Sequence, residues 1–149
     1  MEETYIYPVK RELDGVYCRV QRNGHCESVC FSDLTTTEQD AFLESMADAA
    51  SAVVKYFGGN MVFVNVMKNM SVDCDCCAVA EDPCMADIGI LVSLDPIAID
   101  QACLDLVYAS DDPGREHFAE RVESRNGIRT VEAAAELGFG SREYDLIEQ

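Results

Sequence analysis

Two short, almost continuously apolar runs, residues 61–67 and 88–93, constrain the fold of this chain more than any other feature. Strands that are apolar on both faces are typical of sheets covered by other elements, whereas half-exposed strands alternate apolar and polar residues. The exception in the first run is Asn65, which would need hydrogen-bond partners if it were buried. The two runs therefore predict central, covered strands.

Helix signals lie on either side of these strands. Between Thr35 and Gly58-Gly59, apolar residues recur at helical spacing, which predicts a helix that ends at the glycines. Asp95-Pro96 predicts a second helix that runs to about Tyr108, because Asp caps helix N-termini and Pro suits the first helical position. The order helix, strand, loop, strand, helix is typical of α/β folds. We therefore expect a single α/β domain with a small mixed or parallel sheet and flanking helices.

The N-terminal part of the chain favours strands. Residues 4–9 and 15–20 are β-leaning and could form a hairpin, whereas residues 21–34 are expected to be irregular. We therefore divide the chain into a cysteine-containing N-terminal segment, 1–37, and an α/β domain, 38–149.

The C-terminal part favours helices. A polar helix is predicted over 115–124, followed by a turn at Asn126-Gly127. A last short helix is predicted over 131–137, with Thr130 as its cap and Gly138 as its end. His117, on the polar helix, is expected to be solvated.

The charge of the chain excludes several classes of partner. Eleven Lys and Arg residues oppose 28 Asp and Glu residues, for a formal net charge of -17. Nucleic acids and anionic membranes are bound through clustered basic residues, which this chain lacks. No apolar run approaches the roughly 20 residues of a transmembrane helix, and the first ten residues do not resemble a signal peptide. We expect a cytoplasmic protein with no nucleic-acid or membrane partner.

The chain contains eight cysteines, and a reducing cytoplasm would keep them as thiols. Clustered thiols in such a compartment favour soft metals, iron–sulfur clusters or redox chemistry. The cysteines are Cys18, Cys26, Cys30, Cys74, Cys76, Cys77, Cys84 and Cys103.

Potential metal ligands are most concentrated in the run Asp73-Cys74-Asp75-Cys76-Cys77, which six residues separate from Cys84. Without a cation, Asp73 and Asp75 would disfavour thiolates nearby, and a metal removes this conflict because a coordinating thiol is deprotonated. Cys74, Cys76, Cys77 and Cys84 are therefore candidate ligands of a divalent metal or an iron–sulfur cluster.

The spacing of this run leaves alternatives open. It matches neither the usual zinc pairs nor the ferredoxin-type run. Redox or regulatory thiols remain an alternative, as do small buried cysteines in a tight loop. Cys18, Cys26 and Cys30, with His25, form a second group that could complete a four-ligand site. The loop follows the carboxyl end of the strand 61–67, where α/β sheets commonly bind ligands.

The stretch from Asp73 onward resembles the family known as domain of unknown function 362, whose members are often joined to ferredoxin-type modules. The resemblance is to the C-terminal portion of the family, covers roughly residues 38–147 and includes the upstream helix and the Asn65 strand. The matching motifs are Asp73-Cys74-Asp75-Cys76, Asp87-Ile88-Gly89-Ile90-Leu91, Ser93, Asp95-Pro96-Ile97-Ala98-Ile99-Asp100-Gln101-Ala102, Asp105-Leu106-Val107, Glu136-Leu137-Gly138-Phe139-Gly140 and Tyr144.

This resemblance implies a metal-linked or iron–sulfur protein associated with redox metabolism. It adds Asp87, Asp95 and Asp100 to Asp73 and Asp75 as carboxylates of the candidate site. Family members are usually longer, so the chain is expected to be a fragment, a reduced paralogue or a half that pairs with another copy. Exposed sheet edges would then require a homodimer or a redox protein partner. The competing hypothesis is a non-catalytic interaction or assembly module with structural cysteines.

Overall fold

A computed structural model describes residues 6–12, 15–22, 25–73 and 80–148 of the chain. Within these ranges the elements fall into two small antiparallel sheets and a set of helices. In chain order they are β1 (Ile6–Glu12), β2 (Gly15–Arg22), β3 (His25–Cys30), a 3₁₀ turn (Phe31–Asp33), α1 (Thr36–Phe57), β4 (Phe63–Met67), β5 (Gly89–Ser93), α2 (Pro96–Ala109), α3 (Arg115–Ser124) and α4 (Ile128–Glu136).

The first sheet has the strand order β1-β2-β3. The predicted hairpin is confirmed, since β1 pairs with β2 in antiparallel register. The prediction of irregular structure over 21–34 is wrong, because β3 occupies part of that range and pairs with β2. The first four residues of β3 are all exposed, so it lacks the alternation that marks a half-buried strand. Buried Cys18 and Val20 of β2 pack with side chains of the 3₁₀ turn and α1.

Helix α1 begins and ends as its sequence predicts. Thr35 and Glu38 form a reciprocal capping box: the Thr35 hydroxyl accepts from the Glu38 N–H, and the Glu38 carboxylate accepts from the Thr35 N–H at 2.9 Å. Gly58 ends the helix in the left-handed conformation, at φ 58°. The buried Ala47 of α1 packs against α2 and α4 in the second core cluster.

The second sheet is the pair β4-β5, in antiparallel register with Val64 opposite Val92 and Val66 opposite Ile90. The α/β class with a small sheet and flanking helices is confirmed, although the strands run antiparallel where a mixed or parallel sheet was expected. The expectation of strands covered on both faces is wrong. Helix α2 contacts both strands, whereas the face that carries Val64 and Val92 is exposed.

The C-terminal helices follow the predicted order with one shifted boundary. Asp95 caps α2 with Pro96 at its first turn, and α3 spans the predicted 115–124. Helix α4 begins at Ile128 rather than at 131, and Thr130 lies inside it. The reason is the turn before it: Asn126 adopts a positive φ of 51°, and the chain re-enters a helix directly after Gly127.

Candidate functional site

The segment between β4 and β5 carries the predicted ligand loop. Its described parts, 68–73 and 80–88, lead away from β4 and back to β5. Cys74, Asp75, Cys76 and Cys77 lie outside the described residues. The structure therefore describes the two ends of the loop and what holds them.

Helix α3 clamps both ends of the loop. Arg121 donates to Asp73 Oδ1 at 2.6 Å and lies 3.5 Å from Glu81 Oε1. Asp73 Oδ2 accepts the Glu81 N–H at 3.0 Å, which joins the two ends directly. His117, one helical turn before Arg121, places its Nε2 atom 2.8 Å from Glu81 Oε2. We call these four residues, Asp73, Glu81, His117 and Arg121, the loop clamp.

The electrostatics of the clamp fix the charge of Asp73. The hydrogen bond from Arg121, followed by the one from the Glu81 N–H, holds the pKa of the Asp73 carboxyl below its ordinary value. Its side chain is only 16% exposed, and each of its two oxygens has a partner in the clamp. Asp73 therefore acts as an anchor of the loop, and a free ligand would have to come from elsewhere in the loop.

Between the clamp and the strands, backbone hydrogen bonds hold the two sides of the loop together. Met70 and Met85 form an isolated antiparallel bridge, and the Cys84 N–H donates to the Met70 carbonyl at 2.9 Å. Asn69 adopts a positive φ of 50°, and its N–H donates to Asp87 Oδ1 at 2.8 Å. Asp87 thus stabilises the return of the chain into β5.

Cys84 is half-buried and is a free thiol. Its backbone carbonyl lies so close to Gly114 that a Cβ on that residue would overlap it. Asp112, in the turn between α2 and α3, accepts the N–H groups of Gly114 at 2.7 Å and Ala86 at 3.2 Å. These contacts fix Cys84 against the start of the helix that carries the clamp.

Asp95 has a complete structural role. Its Oδ1 atom accepts the N–H groups of Ile97 at 2.8 Å and Ala98 at 3.0 Å, which caps α2. Its Oδ2 atom accepts the Ser141 N–H at 2.9 Å, which ties the C-terminal segment to the helix start. Gly140 is required beside it, because a Cβ there would collide with the carboxylate.

Asp100 belongs to a different surface from the loop clamp. It accepts from Asn65 Nδ2 at 2.8 Å, and the same amide group lies 3.3 Å from Cys103 Sγ. Burial raises the pKa of the Cys103 thiol above its ordinary value. Asn65 and Asp100 line a largely apolar groove of about 570 Å³ between α1, β4, α2 and α4. The partners that a buried Asn65 was expected to need are thus Asp100 and Cys103.

The second group of cysteines lies in the first sheet. Cys18 is fully buried, and burial, followed by the nearby Cys30, raises the pKa of its thiol. Cys26 and His25 are exposed on β3. Among the residues that the structure describes, no group of three or more His, Cys, Asp or Glu could hold a metal ion. Any complete ligand set would therefore include at least one residue outside the described ranges.

The clamp residues of α3 were not predicted as part of the site. His117 was expected to be solvated, and its side chain is 39% exposed and bonded to Glu81. A signal existed: His117 and Arg121 are spaced i, i+4, which places two basic groups on one helix face. In a chain with only 11 Lys and Arg residues, such a pair is informative.

Comparison with protein families matches residues 13–105 to the domain of unknown function DUF362. The match begins before residue 38 and ends inside α2, so the motif residues Leu106, Val107, Glu136–Gly140 and Tyr144 lie beyond it. No curated protein and no solved structure matches the chain. None of the described helices is both long and apolar enough to cross a membrane.

Proposed function

The chain belongs to the DUF362 family, and from this premise we propose that its cysteine loop, residues 73–84, binds a metal ion or an iron–sulfur cluster linked to redox metabolism. The ligands would be the thiolates of Cys74, Cys76, Cys77 and Cys84. Four thiols within 11 positions suit a soft metal or a cluster, which prefer sulfur ligands. When bound, the group would supply electron transfer or Lewis acidity.

The loop clamp is the observation that supports this proposal best. Closing the two ends of the loop through Asp73, Arg121 and Glu81 lowers the entropy cost of bringing its thiols together. The Arg121 guanidinium also neutralises Asp73, which removes one of the two carboxylates that would oppose thiolate formation. The described ends of the loop are thus held in a way that favours a ligand in the loop between them.

The predicted carboxylates divide into two groups under this proposal. Asp73, Asp87 and Asp95 would act through the backbone that they hold, since each accepts N–H groups of the chain. Asp75, within the loop, would contact the bound group, whereas Asp100 holds Asn65 on a different surface from the loop clamp.

Purification without oxygen tests the proposal. We expect a protein that contains iron or another transition metal, with visible absorption if a cluster is present. The wild-type chain is then reconstituted with iron and sulfide, and separately with zinc. A protein that stays colourless and metal-free after both reconstitutions would overturn the proposal.

The acidic surface and the thiol content suggest where the protein works. We propose a cytoplasmic location, because reductants there would preserve the eight cysteines as thiols. A redox partner would need a basic docking surface to complement the net charge of -17. Binding of such a partner should weaken as the salt concentration rises.

A second candidate function is a non-catalytic assembly module with structural cysteines. The exposed apolar face of β4-β5 favours it, because surfaces of this kind mark protein–protein contacts. Substitution of the loop cysteines discriminates between the two candidates: in an assembly module, it would alter stability and leave metal content at background.

A further inference from the structure

One face of the β4-β5 sheet is made of aliphatic side chains that point away from α2. Val62, Val64, Val66, Ile90, Val92 and Leu94 share this face, and they are between 55% and 74% exposed. The opposite face of the same strands, with Phe63, Asn65 and Leu91, is partly buried. A two-stranded sheet with one open face is marginal in water, and a second packed layer is the usual remedy.

The apolar surface continues onto the C-terminal segment. Leu146 and Ile147 are 49% and 79% exposed, and they border the face at the edge of β5, in a groove that Ile90 and Val92 share with α2. We call these eight side chains the aliphatic face. The eight side chains carry no charge, and Asp145 of the C-terminal segment also lines the groove.

The exposed area of the aliphatic face can be compared with the areas of known protein interfaces. At the exposures above, its side chains present on the order of 500 Å² of apolar surface. The largest apolar patch on a typical monomer is about 300–600 Å², and a patch of this size is often functional. Two such faces in contact would bury about 1,000 Å² in total, which reaches the lower end of specific protein interfaces. The area therefore suits a reversible dimer better than an obligate one.

We propose that the aliphatic face is the interface of a homodimer, in which the β4-β5 sheets of two copies pack face to face. The chain itself supplies an aliphatic partner surface of the same size, because a second copy presents the same side chains. The cross-strand pairs Val64–Val92 and Val66–Ile90 form the centre of the contact, and packed sheets lie about 10 Å apart. A symmetric contact of this kind is closed, so it stops at the dimer.

The charge of the chain gives this dimer a distinctive salt dependence. Each copy carries a formal net charge of -17, so the two bodies repel each other at low ionic strength. Salt screens this repulsion while leaving apolar contact intact. Dimerisation should therefore strengthen as sodium chloride is added, which is the opposite of the behaviour expected for a basic partner.

Sedimentation velocity over a range of protein concentrations tests the proposal. The wild-type chain is expected to pass from monomer to dimer, with a dissociation constant that falls as salt rises. The double variant Val64→Thr with Val92→Thr keeps β-branched side chains at exposed positions, so it should fold normally. It should raise the dissociation constant by about tenfold or more.

Val53→Thr is the matched control, because Val53 is 51% exposed on α1, away from the aliphatic face. It should leave the dissociation constant unchanged. A wild-type chain that stays monomeric at all concentrations, or that forms open-ended assemblies, would overturn the proposal. So would a dissociation constant that the double variant leaves unchanged, or one that Val53→Thr raises as much as the double variant does.

Methyl NMR on the unsubstituted chain gives a readout that needs no variant. A soluble paramagnetic probe should broaden the methyl signals of Val64 and Val92 in dilute samples and spare them in concentrated ones. Equal broadening at both concentrations would contradict the proposed contact. The metal content of the loop is independent of this result, so failure of the dimer and failure of the proposed function are distinguishable.

Discussion

Asp95 shows how much structure a single carboxylate can hold. It accepts two N–H groups at the start of α2 and a third from Ser141. Asp95→Ala should therefore lower the free energy of unfolding by about 2 kcal/mol, at the upper end for a helix cap. Urea denaturation followed by circular dichroism measures the loss. Asp95→Asn, which keeps one acceptor oxygen, should lose less, and equal losses would contradict this account.

Glu136 provides a test of pH dependence. The hydrogen bonds from Arg129 hold the pKa of the Glu136 carboxyl below its ordinary value. A lowered folded-state pKa contributes stability that is present above the ordinary value and is lost as the pH falls through the folded-state value. Glu136→Gln should therefore reduce the loss of stability on acidification.

The matched control for Glu136 is Glu143→Gln, at an exposed position in the C-terminal segment. Thermal unfolding of both variants across the acidic range checks the prediction. If Glu136→Gln and Glu143→Gln have the same effect on the acid limb, the Arg129 pair does not contribute in the way described.

Among the elements, the helices were predicted best from the sequence and the sheets least. Local signals set the helix ends: the capping box at Thr35 and the Asp95-Pro96 start depend on residues within one turn. Strand pairing depends on residues that are far apart in the sequence. The residues of the 61–67 run alone therefore do not indicate whether a second layer covers the strand. The strand β3 was missed for a similar reason, since its partner β2, rather than an apolar pattern, holds it in place.

The loop clamp is the element-scale feature on which the proposed function depends. Arg121→Gln removes the charge that joins Asp73 and Glu81 but leaves the apolar core intact. Supporting residues of this kind typically change metal affinity by about 10- to 100-fold. We therefore expect weaker metal binding, together with faster hydrogen exchange of residues 68–73 and 80–88.

Arg115→Gln is the control on the same helix, because Arg115 pairs only loosely, at 4.0 Å, with its neighbour Glu116. It should keep the affinity and the exchange rates of the wild type. Exchange that is unchanged in Arg121→Gln would show that the clamp does not hold the loop.

At the scale of the whole molecule, the sequence and the structure differ most at the β4-β5 sheet. The composition of both runs predicted covered strands, and the monomer leaves one face of them open. A face-to-face dimer would satisfy the sequence pattern and the structure together, because the missing layer would be a second copy. The acidic composition mainly argued against nucleic acids and anionic membranes as partners.

The cysteine loop of the candidate site could be predicted from the sequence, but the α3 residues that hold it could not. The density of thiols and carboxylates singled out the loop, because such residues rarely cluster without a reason. Helix α3 could not be linked to the loop in the same way. His117 and Arg121 lie 36 and 40 positions beyond their partner Glu81, and only the tertiary fold brings them together.

Metal content per chain after anaerobic purification is the decisive measurement for a metal or cluster in the cysteine loop. The wild type is compared with a variant in which Cys74, Cys76 and Cys77 are all replaced by Ala, and with a control that replaces exposed Cys26. We predict metal in the wild type and in Cys26→Ala, and its loss in the triple variant while circular dichroism stays unchanged. Equal metal content in all three proteins, or none in any of them after reconstitution, would contradict it.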